Sequence, residues 1–502
     1  MPSPARCPGK TMSSTRACLK PLARHLPCPS PPAEGSLASP AIAAHSKPRN
    51  TFVEKSHGRC SPMRCIKTLG HLHSQCARHR AVTNASGLPT ALSDLRKWRL
   101  SADGALEHES GRFFRVIGAN TAPEYLTAGP HEHPMLDQPE IGMLCLFLTE
   151  INNEPYGLIA FKFEPGTPEG IEVAPSFQAT KSNYEGAHGG SAVPGQDIAF
   201  SDRHPTLADA IQREQEAWFL GKVNRNRVIM LPSDDAEPLN SLIPDSYWVP
   251  LRILLQGLLV DNLLNMDLRS ILSMIAVDNT LGRVLTSQQI RSTAESIRSR
   301  LGKPMSTQSR SLLELPGWTY NSSLVGPCSN SATIVGRRVR VETREVAEWD
   351  QPFLSPRLKA QCTLVARRDE TGRSWEVALI PRRRLGSTRG STLEATIQRH
   401  HRTHGDGDNL SEDCLHELVS AADKVVSADH AEEGGRFYHA QTQYQVVLLG
   451  RTELRATTDQ WQWTHLDIAN ALIADGDCLS VEARTCIAML TAAIAPTGGD
   501  HK

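Results

Sequence analysis

The sequence has no excess of either charge. Its 54 Lys and Arg residues are matched by 54 Asp and Glu residues, which argues against a nucleic acid or an acidic membrane surface as a partner of the whole chain. It has no run of eighteen apolar residues, and therefore no helical membrane span. Its 12 cysteines are scattered, about half of them in the first eighty residues, with no CxxC pair and no Cys/His cluster at zinc spacing. Neither a disulfide framework nor a structural metal is indicated, and the pattern suits a reducing cytoplasm. No GxGxxG follows a strand-like run, and GxxxxGK[ST] and GxSxG do not occur. A bound dinucleotide, a phosphate-cradling loop and an esterase-type serine are left without support. The acids of 336–348 are wrongly spaced for a magnesium pyrophosphatase, which needs several carboxylates converging on one ion. Among His108, His131, His133, His188 and His204, only His131 and His133 stand two apart. They lie in a Pro-flanked loop and read as a solvated pair.

What is present falls into blocks. Residues 1–91 are rich in Pro, Ser, Ala, Arg and His and poor in acids, a composition that cannot offset its ordering entropy and predicts a disordered basic leader. The same bias suits an organelle transit peptide, but there is no amphipathic arginine helix, so an unstructured leader or a start near Met63 is the preferred reading. Either way, a chain beginning near Leu92 is expected to fold and keep its activity. SDLRKWRL, from Ser93, has a cap serine and helical spacing. IGMLCLFLTEI and YGLIAFKFEP flank Asn152-Asn153 as a hairpin. A short helix or turn follows at IQREQEAWFLGKV, with a turn at Asn224–Asn226 and then a strand. Residues 248–275 carry apolar positions at helical spacing in two blocks parted near Asp261-Asn262.

The order then recurs. Gln351-Pro352 echoes Gln138-Pro139, EEGGRFYHAQTQYQVVLL echoes EQEAWFLGKVNRNRVIML, and Trp463 to Arg484 repeats the spacing of Trp248 to Arg269. Three blocks in one order and spacing make this a tandem duplication. The predicted class is α+β, each copy a mixed sheet flanked by helices. The boundaries are 92–277 for the first, more motif-complete repeat, 278–311 for a polar linker, 312–495 for the second, degenerate repeat, and 496–502 for a tail.

Polar side chains concentrate between Glu164 and Gly190. Glu164, Gln178, Thr180, Lys181, Ser182, Asn183, Tyr184 and His188 stand among glycines and prolines that forbid a long helix. Such a loop could order itself around a ligand; it could equally be a polar surface loop. Arg112 and Arg115 on an early strand, and Lys222, Arg225, Asn226 and Arg227 near one turn, suit a diphosphate or a solvated basic face.

Taken together, HESGRFFRV, QPEIG, EPG…APSFQATKSNYEGAHGG, EQEAWFLGKVNRNRV and NLLNMDLRSIL resemble the motif set of the NDP-hexose 2,3-dehydratases, over about 95–490. The resemblance implies two Nudix-like halves without the Nudix metal site, a cytoplasmic homodimer, no cofactor and no metal. It also implies an elimination on an NDP-4-keto-6-deoxyhexose, typically a dTDP-sugar, feeding a 3-ketoreductase in deoxysugar biosynthesis. Chelation is accordingly expected to leave turnover intact. Glu164, Tyr184 and His188 become the catalytic candidates. Gln138, Lys162, Gln178, Thr180, Ser182 and Asn183 become substrate-binding candidates, with Arg112, Trp218, Lys222, Arg225 and Asn226. The second half departs from the pattern: Arg384 stands opposite Glu164, and RHHRTHGDGD replaces the SNYxxxHGG segment. Chemistry is therefore expected in the first half. A catalytically inactive sugar-nucleotide-binding or scaffold homologue is the alternative.

Overall fold

The computed structural model describes residues 63–185, 193–275, 285–326, 332–342, 346–400, 412–450 and 461–495. Most of the leader, His188, the RHHRTHGDGD segment after His400, Arg344-Glu345 and the tail 496–502 lie outside the described residues.

Each copy builds the same sheet. In the first, the strands run Thr206–Arg213, Val223–Met230, Gly142–Ile151, Glu154–Phe163, Ser246–Pro250. In the second, Lys424–Ala431, Gln441–Leu449, Ala360–Arg368, Trp375–Arg382 and Gln462–His465 repeat that order. Both sheets are mixed. The one parallel pairing falls at the same place, Asn224 beside Gly142 and Thr442 beside Ala360. The Gly142–Ile151 and Glu154–Phe163 hairpin closes through Asn152 and Asn153 at φ 54° and 61°, the left-handed pair that a tight hairpin turn requires and Asn tolerates. After each sheet come two helices, Leu251–Gly257 with Met266–Ile275, and Leu466–Ala474 with Val481–Ile494. The residues from 248 thus begin as the edge strand Ser246–Pro250 before turning helical, and the break falls where Asp261 and Asn262 lie.

The repeats share one core. Leu146, Val228 and Leu268 of the first copy belong to the same buried cluster as Leu364, Val446 and Ile487 of the second, so neither repeat closes its own apolar face. Polar cross-ties are reciprocal as well. Arg269, fully buried, donates to Ala431 O at 2.9 Å, and Arg484 donates to Arg213 O at 3.0 and 3.1 Å. A strand is exchanged in each direction. Gln308–Arg310, which precedes the second copy, pairs with Arg115–Asn120 of the first. Ala85–Thr90, which precedes the first, pairs with Ala332–Val341 of the second.

That exchange corrects two boundaries. The expected leader 1–91 ends in a helix, Leu69–Val82, and the strand Ala85–Thr90; Ile66, Leu72 and Cys76 are fully buried. A composition averaged over ninety residues hid this short ordered end. The expected linker 278–311 contains the helix Ser287–Arg300, opened by a Thr286–Gln289 capping box and anchored by buried Ala294 and Ile297. Two local readings also change. SDLRKWRL forms a single 3-10 turn, Leu92–Asp94, and then the strand Trp98–Leu100, because Lys97 takes φ 66° and interrupts any helix. Asn224 and Asn226 lie inside the strand Val223–Met230, and the turn sits earlier, at Gln215–Phe219.

Candidate active site

Glu164 follows directly on the strand Glu154–Phe163 and is nearly buried. Its Oε1 accepts from Gln178 Nε2 at 2.8 Å and stands 3.4 Å from Lys162 Nζ. Its Oε2 accepts from the amide of Gly434, at 3.0 Å, which belongs to the second repeat. Gln178 is oriented in turn by Asn265 Nδ2, 3.1 Å from its Oε1. Two glycines allow the contact between repeats. The Gly166 amide donates to Gly434 O at 2.8 Å, and His439 N donates to Gly166 O at 2.6 Å. A Cβ on Gly166 would collide with Phe437 O, and one on Gly434 would come 2.5 Å from Thr167 Cγ2 and 2.7 Å from Glu164 Cβ. Only glycine lets the loop of one repeat clasp the turn of the other.

Charged groups of both signs surround this clasp. Lys222 is buried and donates to Glu140 O; burial lowers its ammonium pKa, opposed by Glu433 and Glu214. Arg436 Nε donates to Gln138 Oε1 at 2.9 Å, Gln138 Nε2 donates to Glu140 Oε1 at 3.0 Å, and the guanidinium lies 4.3 Å over the Phe114 ring. Glu214 accepts from Asn224 Nδ2 at 2.8 Å, and burial raises its carboxyl. Burial, reinforced by Glu164, Glu433 and Glu214, pushes the Asp267 carboxyl well above the ordinary range. For Glu433 the result is about 7: burial, Glu214 and Glu164 raise it, while Arg436 and Lys222 pull it down. A carboxyl held near neutrality among cations, as Glu433 is, can exchange protons at physiological pH.

Of the residues singled out in the sequence, Gln138, Lys162, Glu164, Gln178 and Lys222 come together here. Thr180 opens a single helical turn, Lys181–Tyr184, whose second and third residues are Ser182 and Asn183. Tyr184 OH donates to Ile141 O at 3.4 Å, next to Glu140, and its ring tilts against Phe200. Burial raises the Tyr184 pKa. His188 lies outside the described residues. The other four stand apart. Arg112 is exposed in the turn after His108. Trp218 is buried edge-on to His133 in the core with Leu136 and Phe437. Arg225 pairs outward with Asp209 at 2.6 Å, and Asn226 is buried and bonded to Gln212 Oε1 at 2.6 Å. Strand alternation explains the last pair: once Val223–Met230 is a strand, neighbouring side chains point to opposite faces.

Sequence reasoning passed over Asn265, Asp267, Glu214, Glu433, Gly434 and Arg436. Two signals were available. Asp267 interrupts an otherwise apolar helix face, where an acid is rarely buried without a reason. Glu433 and Gly434 align with Gln215 and Glu216 of the first copy, a change of charge inside an otherwise matched block.

The second repeat forms the matching clasp, with Gly386 N on Glu216 O at 3.0 Å and Gly221 N on Gly386 O at 3.1 Å. Its contents differ. Arg384, in the place of Glu164, forms a buried bidentate pair with Glu394, 2.7 Å at Nη2, and donates to Gln398 O at 3.3 Å. Glu216 accepts from Arg213 at 2.9 Å, from Ser387 at 2.7 Å and from Thr392. Gln398, His400 and Glu482 are buried behind them.

A family model described as NDP-hexose 2,3-dehydratase matches residues 69–275 and again 294–490, the two repeats. A protein of Saccharopolyspora spinosa, named dTDP-4-dehydro-6-deoxy-alpha-D-glucopyranose 2,3-dehydratase, is 26% identical over 91% of this chain and 97% of its own length. Proteins of the same name from Streptomyces violaceoruber and Amycolatopsis orientalis are 30% and 28% identical, over 85% and 81% of this chain and 97% and 87% of theirs. With both repeats matched, this chain belongs to the NDP-hexose 2,3-dehydratase family.

Proposed function

We propose that this chain is a sugar-nucleotide 2,3-dehydratase acting on an NDP-4-keto-6-deoxyhexose, dTDP-4-keto-6-deoxyglucose in the first instance, at the clasp of the first repeat. The carrying observation is that Glu164, Lys162 and Gln178 converge within hydrogen-bond or ion-pair distance at a position the other repeat has filled with Arg384. The ketone at C4 acidifies the hydrogen at C3. A base removes it, the C4 oxygen takes the charge as an enolate, and return of that charge expels the C2 hydroxyl, which leaves as water after protonation. The enol then becomes a 3,4-diketo-2,6-dideoxyhexose. The step consumes no electrons and needs no redox cofactor. Positioned proton transfer contributes on the order of 10²–10⁴ in rate, and each preorganised donor to the enolate oxygen roughly 3–4 kcal/mol.

Glu164, Tyr184 and His188 are the first-repeat groups proposed for the chemistry. Glu164 holds Lys162 and Gln178 toward the reacting centre, and Tyr184, whose OH donates to Ile141 O at 3.4 Å, is proposed to turn that hydrogen to the C4 oxygen. Lys222 and Arg436 are the cations proposed for the diphosphate. Thr180, Ser182 and Asn183 are proposed to bind the substrate. The finer expectations stand with this reading: each repeat a Nudix-like unit, a homodimer in the cytoplasm, and a 3-ketoreductase consuming the labile diketone. Among the described residues no helix is long and apolar enough to cross a membrane.

The test is incubation of the protein with dTDP-4-keto-6-deoxyglucose, a 3-ketoreductase and its reduced nicotinamide, scored by loss of the C2 oxygen in the product. Glu164→Gln is expected to lower kcat by about 10²–10⁴ with dTDP affinity retained. Binding of dTDP without any turnover by the parent protein would establish the inactive-homologue reading instead.

A further inference from the structure

We propose that Glu433, delivered by the second repeat, is a catalytic residue of the dehydration proposed above and takes the C3 proton, so that the two repeats share one active centre.

Both oxygens of Glu164 are already engaged, Oε1 by Gln178 and Lys162 and Oε2 by the Gly434 amide. That makes Glu164 a fixed, charged anchor. Glu433 is the residue before Gly434, so the clasp that fixes Glu164 also fixes the backbone of Glu433. Its own turn is closed by Arg436 N and Phe437 N, each 2.9 Å from Glu433 O. Its Oε2 is shielded from solvent and has no hydrogen-bond partner among the described residues, an unpaired buried oxygen of the kind that calls for a functional account. The charges acting on it are those of Lys222, Glu214 and Glu164 from the first repeat and Arg436 from its own turn, and it acts in turn on Asp267 of the helix Met266–Ile275. The corresponding residue of the first repeat is Gln215, whose amide donates to Glu432 Oε2. A titrating group therefore stands at this turn in one copy and a neutral amide in the other. Burial places the Glu433 carboxyl at about 7, where a proton carrier works near neutral pH.

In the step, Glu433 as carboxylate accepts the C3 proton and the C3–H electron pair forms the C3–C4 double bond as the C4 oxygen becomes an enolate. When C4=O re-forms, the pair moves to C2–C3 and the C2–O bond breaks. The departing hydroxyl takes a proton from the acid partner and leaves as water, and exchange with solvent resets both groups. Because the base must be ionised, kcat/KM should rise with pH through a limb near 7.

The experiment uses the full chain carrying Glu433→Gln, a change the fold accommodates at Gln215 of the other copy. Three quantities are read: kcat in the coupled assay, dTDP affinity by calorimetry, and deuterium uptake at C3 in D2O. Expected are a fall in kcat of about 10²–10⁴, dTDP affinity within about 3-fold, and loss of both the C3 exchange and the limb near 7. Retention of kcat within about 5-fold of the parent, with C3 exchange intact, overturns the assignment. Should Glu433→Gln lose dTDP binding, Glu433→Asp decides: a displaced limb supports the role, and an unchanged kcat and limb refute it. Inactivity of the parent chain on the sugar nucleotide would sink the dehydratase reading itself, an outcome separate from either of these.

Discussion

At the same point after the same hairpin, the first repeat carries Glu164 and the second carries Arg384, and the surroundings have followed the charge. Opposite Arg384 stands Glu394, where the first repeat has Ala174. Opposite Glu164 stand Lys162, Gln178 and a backbone amide. In the second site Arg384 and Glu394 form a buried pair, and Ser387 and Thr392 close on Glu216. The first leaves Lys162, Gln178 and Glu433 partly accessible and gathers Glu214, Asp267 and Glu433, whose carboxyls burial raises. Both keep the glycine clasp. Duplicated geometry is thus retained where it holds the repeats together, while the charges inside differ between the copies.

The largest expected effect would break the idea that the repeats are separate units. A chain beginning at Leu92 lacks the strand paired with Ala332–Val341 and the buried Ile66, Leu72 and Cys76. At about 1.5–3 kcal/mol for each large apolar side chain, it should lose more than about 5 kcal/mol in urea unfolding. Hydrogen exchange should accelerate first in the second repeat, at Ala332–Val341. Full stability of this chain would return 63–91 to the status of a dispensable leader.

A smaller effect sharpens the contrast between the two sites. Arg384→Leu strands Glu394 in the interior and should cost about 3–5 kcal/mol, whereas adding Glu394→Leu should recover most of it, since a buried ion pair replaced by apolar groups is often neutral. Thermal melts read the stability, and the double variant should turn over sugar nucleotide near the parent rate. If the double variant is stable and inactive, the second site takes part in catalysis and the contrast is wrong.

The smallest effect is in pH. Burial first, then Glu432 and Glu394, pushes the Glu482 carboxyl up to about 8, against about 4.3 unfolded. A pKa raised in the folded state means that folding binds a proton, so stability is full below the unfolded value and is lost as pH rises toward 8. Glu482→Gln should flatten that decline, by about 1–3 kcal/mol between pH 5 and 8. Denaturant midpoints across that range check it; an unchanged slope would mean Glu482 stays ionised.

Local signals were legible where a few neighbouring residues decide the outcome. The Asn152-Asn153 hairpin, the break near Asp261 and the alignment of Arg269 with Arg484 are of that kind, and Glu164, Lys162 and Gln178 belong to one continuous stretch of motif. Trp218 and Asn226 lie in equally distinctive motifs but were drawn into the core, Trp218 from a turn against His133 and Asn226 by strand alternation onto Gln212. The helix Leu69–Val82 was illegible because only Leu72 and Cys76 of its fourteen residues are buried, too few to raise an apolar period above a basic, proline-rich background.

By itself the sequence determined the duplication, the mixed α+β class and the asymmetry of charge between Glu164 and Arg384, because each is a matter of which residues recur at which spacing. Tertiary structure alone decided that the repeats interleave. Ala85–Thr90 completes the far sheet, Gly434 lies on Glu164 across 270 positions of chain, and Glu433 is held beside it. No periodicity encodes such meetings: they depend on two apolar faces closing on a single core, and on glycines without a Cβ to keep the two loops apart.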